Sequence, residues 1–171
     1  MKLKGKKIAL FVAEIYNDFE YWYPYYRMKE EGATVVSIGP RKGVFEGKYG
    51  IPAKTDEKID DVNPDSFDAV IIPGGYAPDH MRRKQEMVDF VAKMNEQGKT
   101  IAAICHAGWM LASANVLKDK KVTSFYAIKD DVVNAGASWV DETVVQDGNL
   151  ITSRNPDDLP AFCTTIINAL S

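Results

Sequence analysis

The chain has 171 residues and a mass of 19.0 kDa, which suits one domain with a sizeable core. Hydrophobic residues make up 46% and charged residues 26%, which is ordinary for a folded protein and too apolar for a disordered one. The 21 Lys and Arg residues against 24 Asp and Glu give a net charge of -3, so no basic field exists for nucleic acid or an anionic membrane. We therefore expect a single domain over residues 1–171 that has neither of these as a partner.

The first apolar run follows a basic start and could be mistaken for a targeting segment. Residues 8–13 are apolar, but the run stops at Glu14 and has no small-residue cleavage site. It is too short for a signal core or a membrane span. We interpret it as a first buried strand of a cytoplasmic protein.

Short apolar runs alternate with longer segments of helical periodicity along the rest of the chain. The predicted strands are residues 8–13, 35–38, 69–72 and 100–104, with a hairpin at 143–152 turning on Asp147-Gly148 and a second strand pair within 43–54. The predicted helices run from about Phe19 to Gly32, from Met87 to Gly98, and over residues 107–114, 128–135 and 157–170. Pro24 either kinks the first helix or marks its regular beginning. This alternation predicts an α/β sandwich with a mostly parallel central sheet, whose sites gather at the carboxyl ends of the strands.

The strongest candidate for chemistry is Cys105, which ends an apolar strand just where a helical pattern begins. A nucleophile at such a sharp elbow is held out of the sheet. Nearby free N–H groups and the helix dipole favour the thiolate, which is the reactive form. The alternative is that Cys105 is a small buried hydrophobic residue, as is common for a free Cys.

Three further positions could assist Cys105. Gly74 and Gly75 follow the strand 69–72 and allow backbone N–H groups to line an oxyanion pocket, or they form only a flexible turn. Glu14 ends the first strand, where a carboxylate is costly unless it is partnered or solvated. His106 is adjacent to Cys105 and could serve as a base, although neighbouring side chains on an elbow often diverge.

The remaining reactive residues suggest no metal site. The chain has two Cys and two His residues, without the four closely spaced ligands of a structural zinc site, so we expect no metal and no cofactor. Cys163 lies in the last helical pattern and is interpreted as core, and a disulfide is not expected in the cytosol.

The aromatic run 21–26 is a ligand platform, a subunit contact or simply core. It covers all faces of a helix, so some rings should be exposed.

Several collinear strings resemble the DJ-1/PfpI superfamily, in particular its PfpI-like intracellular protease/amidase (peptidase C56) branch. They are IIPGGYAPD at 71–79, AICH at 103–106, KVTSF at 121–125, IKDD at 128–131, NAGASWVDE at 134–142, DGNLITSR at 147–154 and DLPAF at 158–162. The likeness extends from about Lys7 to Leu170.

The resemblance implies a flavodoxin-like three-layer α/β/α sandwich, similar to class I glutamine amidotransferases, with Cys105 as nucleophile on a strained elbow. It implies a Glu that hydrogen-bonds the sulfur, for which Glu14 is the best match, and oxyanion donors at the N–H groups of Gly75 and His106. It also implies that an acid following the Gly-Gly string, here Asp79, reaches His106 from a neighbouring subunit. The site would then be complete only in a homodimer or higher homo-oligomer.

Two functions follow from this resemblance. The first is a stress-response enzyme whose Cys105 thiolate attacks a carbonyl of a small or peptide substrate, as a peptidase/amidase, a glyoxalase III or a deglycase. The second is a redox sensor with chaperone-like activity that uses oxidation of Cys105. A glutamine amidotransferase is excluded because its downstream His is missing, and a transcription regulator because the chain has no room for a DNA-binding domain.

Overall fold

The predicted alternation of strands and helices forms a sandwich with a seven-stranded central sheet, seen in a computed structural model that describes all 171 residues. The strands are β1 (Lys7–Phe11), β2 (Thr34–Gly39), β3 (Val44–Glu46), β4 (Pro52–Lys54), β5 (Glu57–Lys58), β6 (Ala69–Ile72), β7 (Thr100–Ile104), β8 (Lys121–Val122), β9 (Ser138–Trp139), β10 (Val144–Asp147) and β11 (Leu150–Ser153). The helices are α1 (Asp18–Glu30), α2 (Ala77–Arg82), α3 (Gln85–Glu96), α4 (Gly108–Ser113), α5 (Lys129–Asn134) and α6 (Leu159–Leu170).

The central sheet has the strand order β10-β11-β7-β6-β1-β2-β5, and only the edge strand β10 is antiparallel to its neighbour. Every residue of β6 and β7 is buried, because helices cover both faces of the sheet. Helices α1 and α6 pack together on one face, and α3 packs with α2 and α4 on the other. The predicted three-layer α/β/α fold with a mostly parallel sheet is confirmed.

Most predicted elements exist, and their ends shift by a few residues. Two strand predictions coincide with β6 and β7, and the hairpins β10–β11 and β3–β4 both form. The first strand ends at Phe11 rather than at residue 13, because the chain then turns toward the loop after β6. Helix α1 begins at Asp18, capped by the Asn17 side chain, so Pro24 lies inside the helix rather than at its start.

The sequence patterns did not predict α2 or the small β8–β9 pair. Helix α2 is only six residues long and begins with Ala77-Pro78, one residue after two glycines, a composition that is typical of a loop. Cys105 and Cys163 are both free and buried. No helix of the chain combines the length and the apolar character needed to cross a bilayer.

Candidate active site

Cys105 lies where β7 ends and the chain turns sharply toward α4. Its backbone has a φ of 62°, in the left-handed region that costs an L-residue about 1 kcal/mol or more. A 3-10 turn over Cys105–Ala107 makes the bend, and the Phe125 N–H donates to the Cys105 carbonyl oxygen at 3.2 Å. The strained elbow predicted for this residue is therefore present.

Polar groups surround the sulfur of Cys105. The backbone N–H groups of His106 and Gly75 donate to it, and the His106 ring Nδ1 lies 3.1 Å from it. The ring is held by stacking on Phe125 at 5.0 Å and by an edge contact with Trp109 at 5.1 Å. The adjacent side chains of Cys105 and His106 thus converge, because the 3-10 turn brings the ring back over the sulfur.

The carboxylate beside Cys105 is Glu20, in the first turn of α1. Its side chain is fully buried, and Oε2 accepts a hydrogen bond from the Gly74 N–H at 2.7 Å. The other oxygen, Oε1, is buried without a hydrogen-bond partner. A Cβ at position 74 would lie 2.6 Å from Glu20 Oε2 and 2.7 Å from Cys105 Cβ, so only a glycine lets the carboxyl and the thiol approach each other.

The expectation that Glu14 hydrogen-bonds the sulfur is wrong. Glu14 is at the surface, where its oxygens accept from the Arg41 guanidinium at 3.2 Å and from the Glu46 N–H at 3.3 Å. Its segment leaves the sheet after Phe11, and the carboxylate that reaches the sulfur comes from the first turn of α1. That turn brings Glu20 to the position assigned to Glu14.

The role given to Gly74 also needs correction. Its N–H donates to Glu20, so it is not free to stabilise an oxyanion. The N–H groups of Gly75 and His106 remain, and both face the sulfur. The loop after β6 therefore donates one N–H group to the Glu20 carboxyl and another to the Cys105 sulfur.

Burial is the largest cause of the shifted pKa values of Glu20 and Cys105. Burial raises the pKa of Glu20 to about 7, against the opposing effects of the Gly74 N–H, Cys105 and Lys48. Burial also raises the pKa of the Cys105 thiol, the Glu20 carboxylate raises it further, and the N–H groups of His106 and Gly75 oppose this. The elbow alone therefore does not lower the thiol pKa, contrary to the expectation from the sequence. The repulsion from Glu20 disappears once that carboxyl is protonated, so the charge state of Glu20 contributes, after burial, to the pKa of the thiol.

His106 is the candidate base, and its pKa is shifted by burial and by two charged residues. Burial lowers the pKa of His106, and the positive charge of Lys48 lowers it further while Asp131 opposes it. At neutral pH the ring is therefore uncharged and able to accept a proton.

Within one chain, Asp79 is not a partner of His106. It lies on α2 and pairs with Arg83 at 2.5 Å and Arg82 at 3.2 Å. Burial raises its pKa, but these two guanidinium groups outweigh burial and hold the pKa below its usual range. Asp79 is therefore ionised and engaged with its own helix.

The sulfur opens onto a cavity of about 360 Å³. Its wall is formed by the elbow, the loop after β6, the segment before α1, and the tip of the β3–β4 hairpin. The lining residues are Ile15, Asn17, Lys48, Tyr49, Gly75, Tyr76, Cys105, His106, Phe125, Asn155 and Pro156. A wider groove of about 610 Å³ beside α3 shares none of these residues and holds neither Cys nor His.

Sequence reasoning missed Glu20, although a signal for it exists. Asn17 and Glu20 have the spacing of a helix N-cap and its third residue, where a Glu usually turns back toward the cap. Here Glu20 instead reaches Gly74, while the Asn17 N–H donates to the Gly74 carbonyl oxygen at 3.1 Å. Recognising the cap would have identified Glu20 as a carboxylate turned toward the start of α1, and the fold places the loop after β6 at that end of the helix.

Known proteins match this chain over almost its whole length. The sequence model of the DJ-1/PfpI family matches residues 6–169. Deglycase PfpI of Pyrococcus furiosus is 45% identical over 164 residues, covering 96% of this chain and 99% of that protein. Protein/nucleic acid deglycase 2 of Escherichia coli K12 is 41% identical over 161 residues, covering 92% of this chain and 94% of that protein.

A solved structure with the same fold is a two-domain protein of Anabaena variabilis, which contains a DJ-1/ThiJ/PfpI-like and a ferritin-like domain. It superposes with a TM-score of 0.95 at 42% identity. The match covers 96% of this chain and 48% of that one, so this chain spans about half the length of the two-domain protein.

Proposed function

The chain belongs to the DJ-1/PfpI family, and from that premise we propose that it is a cysteine-dependent stress-response enzyme acting on small reactive carbonyl compounds. The observation that carries the proposal is the buried Glu20 carboxyl, with a pKa of about 7, against the Cys105 thiol in an open cavity. Relatives at 41% and 45% identity carry deglycase names, which supports carbonyl chemistry at this site.

The reactive state has the proton on Glu20 and the negative charge on the sulfur. A protonated carboxyl no longer repels the thiolate and can donate the hydrogen bond that links the Glu20 and Cys105 side chains. The N–H groups of Gly75 and His106 stabilise the same charge. Glu20 therefore acts as the group that poises the nucleophile.

With an α-oxoaldehyde, the thiolate attacks the aldehyde carbon and the carbonyl electron pair moves to oxygen. That oxygen takes a proton, which gives a hemithioacetal. Neutral His106 then removes the proton from C1 and returns it to C2, converting the hemithioacetal into the thioester of a 2-hydroxy acid. Water cleaves the thioester and restores the thiol, so one substrate and one water give one 2-hydroxy acid without an external oxidant.

The cavity favours a small substrate over a polypeptide. Its volume of about 360 Å³ is near the lower end for ligand sites, and Tyr49, Tyr76 and Phe125 narrow it. Peptidase or amidase activity uses the same thiolate attack and is the less favoured form of this proposal. The free thiols are consistent with action in the reducing cytoplasm.

The test is steady-state kinetics with methylglyoxal, glyoxal and a chromogenic amide. We expect turnover of the two dicarbonyls that is abolished in Cys105→Ala and retained in Cys163→Ala, which removes the other, core cysteine. Full activity in Cys105→Ala would overturn the proposal. Turnover of the amide alone would favour the amidase form.

A redox-sensing role is the second candidate, and the unpartnered Glu20 Oε1 favours it. Oxidation of the thiol to a sulfinic acid places oxygens where a protonated Glu20 could donate to them. This role predicts a stable Cys105 oxidation product and no turnover of any of the three substrates. Mass spectrometry of peroxide-treated protein, set beside the kinetics, separates the two roles.

We further propose that copies of this chain assemble through α1, and that Asp79 meets the His106 of another copy at a separate contact, because α2 lies on the opposite face of the sheet from α1. Phe19, Tyr23 and Tyr26 leave an aromatic face of α1 exposed, while Tyr21 of the same run is buried in the core. Such a face is typical of an interaction surface. Asp79 would have to exchange Arg82 and Arg83 for the partner's His106 to complete the acid–base pair.

A further inference from the structure

Lys48 stands out among the residues that line the Cys105 cavity. No other Lys or Arg and no Asp or Glu lines the cavity. The Glu20 carboxyl is buried and does not belong to the lining. The other titratable groups that face the cavity are Cys105, the uncharged His106 ring, Tyr49 and Tyr76. A substrate next to Cys105 therefore meets a single fixed positive charge.

The Lys48 ammonium has no carboxylate of its own. None of the ion pairs in the structure includes it, and it lies over the Tyr49 ring, 5.5 Å from Nζ to the ring centroid. An unpaired ammonium at the mouth of a cavity is available to a ligand. Its charge also reaches the reacting groups, because it lowers the pKa of both Glu20 and His106.

The backbone that carries Lys48 is fixed rather than free. The Lys48 N–H donates to the Tyr16 carbonyl oxygen at 2.8 Å, and Tyr16 forms bridges with both Gly47 and Gly75. The buried Asp18 carboxylate accepts the N–H groups of Tyr49 at 2.8 Å and Ile51 at 2.9 Å. The hairpin tip is thus tied to the same loop that contacts the sulfur.

Resting on the proposed function, we infer that Lys48 is a specificity-determining residue that binds an anionic group of the substrate. The substrate class is an α-oxoaldehyde that also carries a carboxylate, such as 4,5-dioxopentanoate, which retains the aldehyde hydrogen and the C2 carbonyl that the proposed reaction needs. The carboxylate lies against the Lys48 ammonium while its carbonyl carbon faces the Cys105 sulfur. Neutral carbonyl compounds bind without this contact.

The experiment uses two alkylating reagents of nearly equal size, anionic iodoacetate and neutral iodoacetamide. Their second-order rates at Cys105 are measured by peptide mass spectrometry, and the iodoacetate/iodoacetamide ratio is compared with that of glutathione. Any change in thiolate fraction affects both reagents, so the ratio isolates recognition of the anion. Turnover is not needed, which separates this test from that of the proposed function.

We expect the ratio to exceed that of glutathione and to fall about tenfold in Lys48→Met, the usual scale for losing one charged contact. Lys48→Arg should keep most of the wild-type iodoacetate/iodoacetamide ratio. In the wild type, 0.5 M NaCl should reduce this ratio, because salt screens the attraction between the ammonium and the anionic reagent. Lys54→Met is the matched control, because Lys54 is another exposed hairpin lysine without an ion pair and outside the cavity. It should leave the ratio unchanged.

An unchanged ratio in Lys48→Met, with Cys105 still alkylated, would overturn this inference and leave the proposed function standing. Failure of both reagents to modify Cys105 would overturn the two together. As a second measurement, Lys48→Met should lower kcat/KM for 4,5-dioxopentanoate relative to methylglyoxal by a similar factor. An equal loss for both substrates would contradict a role in specificity.

Discussion

Glu20 shows how one buried residue couples the fold to its chemistry. A carboxyl enclosed by α1 and the loop after β6 loses its hydration, so its neutral form is favoured in the folded state. The resulting pKa of about 7 lies near physiological pH. The same burial that would weaken the fold therefore makes Glu20 a proton donor to Cys105.

This burial predicts a pH-dependent stability. The unfolded carboxyl ionises near pH 4.5 and the folded one near 7, so between these values the folded state holds a proton that the unfolded state has lost. The contribution of Glu20 to the free energy of unfolding should fall as pH rises through this window, by on the order of 3 kcal/mol in total. Urea unfolding from pH 4 to 8 should show this fall in the wild type and not in Glu20→Gln.

Glu14→Gln is the control for that experiment. It removes a surface carboxylate that pairs with Arg41, and its pH profile should follow the wild type. A Glu20→Gln profile parallel to the wild type across pH 4.5 to 7 would contradict the assignment of a raised pKa to Glu20.

His106 supports a second prediction at the residue scale. The ring is uncharged and close to the sulfur, and the proposed mechanism uses it as the base that moves the substrate proton. His106→Asn keeps a polar side chain but cannot accept a proton, and should lower kcat for methylglyoxal about 100-fold.

The chain offers a matched control, because His80 is its other histidine and does not line the cavity, although its ring makes an edge contact with Tyr76. His80→Asn should retain kcat within about twofold, because it changes only packing outside the cavity. Equal losses in both variants would indicate a structural effect and contradict the role of His106.

At the scale of elements, the β3–β4 hairpin depends on α1. Asp18 is buried in the first turn of α1, and its two oxygens accept two N–H groups from the hairpin tip. Gly47 has no side chain there, and a Cβ would lie 2.3 Å from Asp18 Oδ1. The tip therefore packs directly on the helix that also carries Glu20.

Removing this carboxylate should loosen the hairpin tip. Asp18→Ala leaves two N–H groups without acceptors, which should lower the free energy of unfolding by about 2 kcal/mol. Trypsin should then cleave after Lys48 faster than in the wild type. Limited proteolysis followed by mass spectrometry measures this directly.

Asp130→Ala is the comparison for Asp18→Ala, since Asp130 is also a first-turn acid but is exposed on α5. It should change stability by less than about 0.5 kcal/mol. Wild-type resistance to trypsin at Lys48 in Asp18→Ala would show that the tip does not need this anchor.

At the scale of the whole molecule, α1 presents aromatic rings to the outside. Phe19 is 57% and Tyr26 64% exposed, and they share a helix face with Tyr23 at spacings of four and three residues. Rings of this size rarely remain exposed together on a monomer. The proposed contact between copies of the chain therefore uses this face.

Self-association should weaken when charge is placed on that face. Wild-type protein at micromolar concentration should sediment as a dimer or larger species, and Phe19→Glu/Tyr26→Glu should shift it to the monomer by sedimentation velocity. Tyr126→Glu is the control, because Tyr126 is an exposed ring away from α1. A wild-type monomer, or a double variant that stays associated, would contradict the proposed contact.

The sequence alone determined the layered fold and the residues at its elbow. Continuous apolar runs identified β6 and β7, because strands buried on both faces need no polar alternation. The end of such a run at Cys105 located the elbow, and the Gly-Gly pair located the neighbouring loop. These are local features, and local sequence fixes them.

Only the tertiary structure decided which distant groups meet there. Glu14 is nearer the first strand in sequence, yet Glu20 reaches Cys105, because the chain makes an excursion to the hairpin before α1 begins. Lys48 enters the cavity through a hairpin tip held by Asp18, a contact between residues far apart in the chain. The raised pKa values likewise depend on burial, which arises from packing and is not set by the order of residues along the chain.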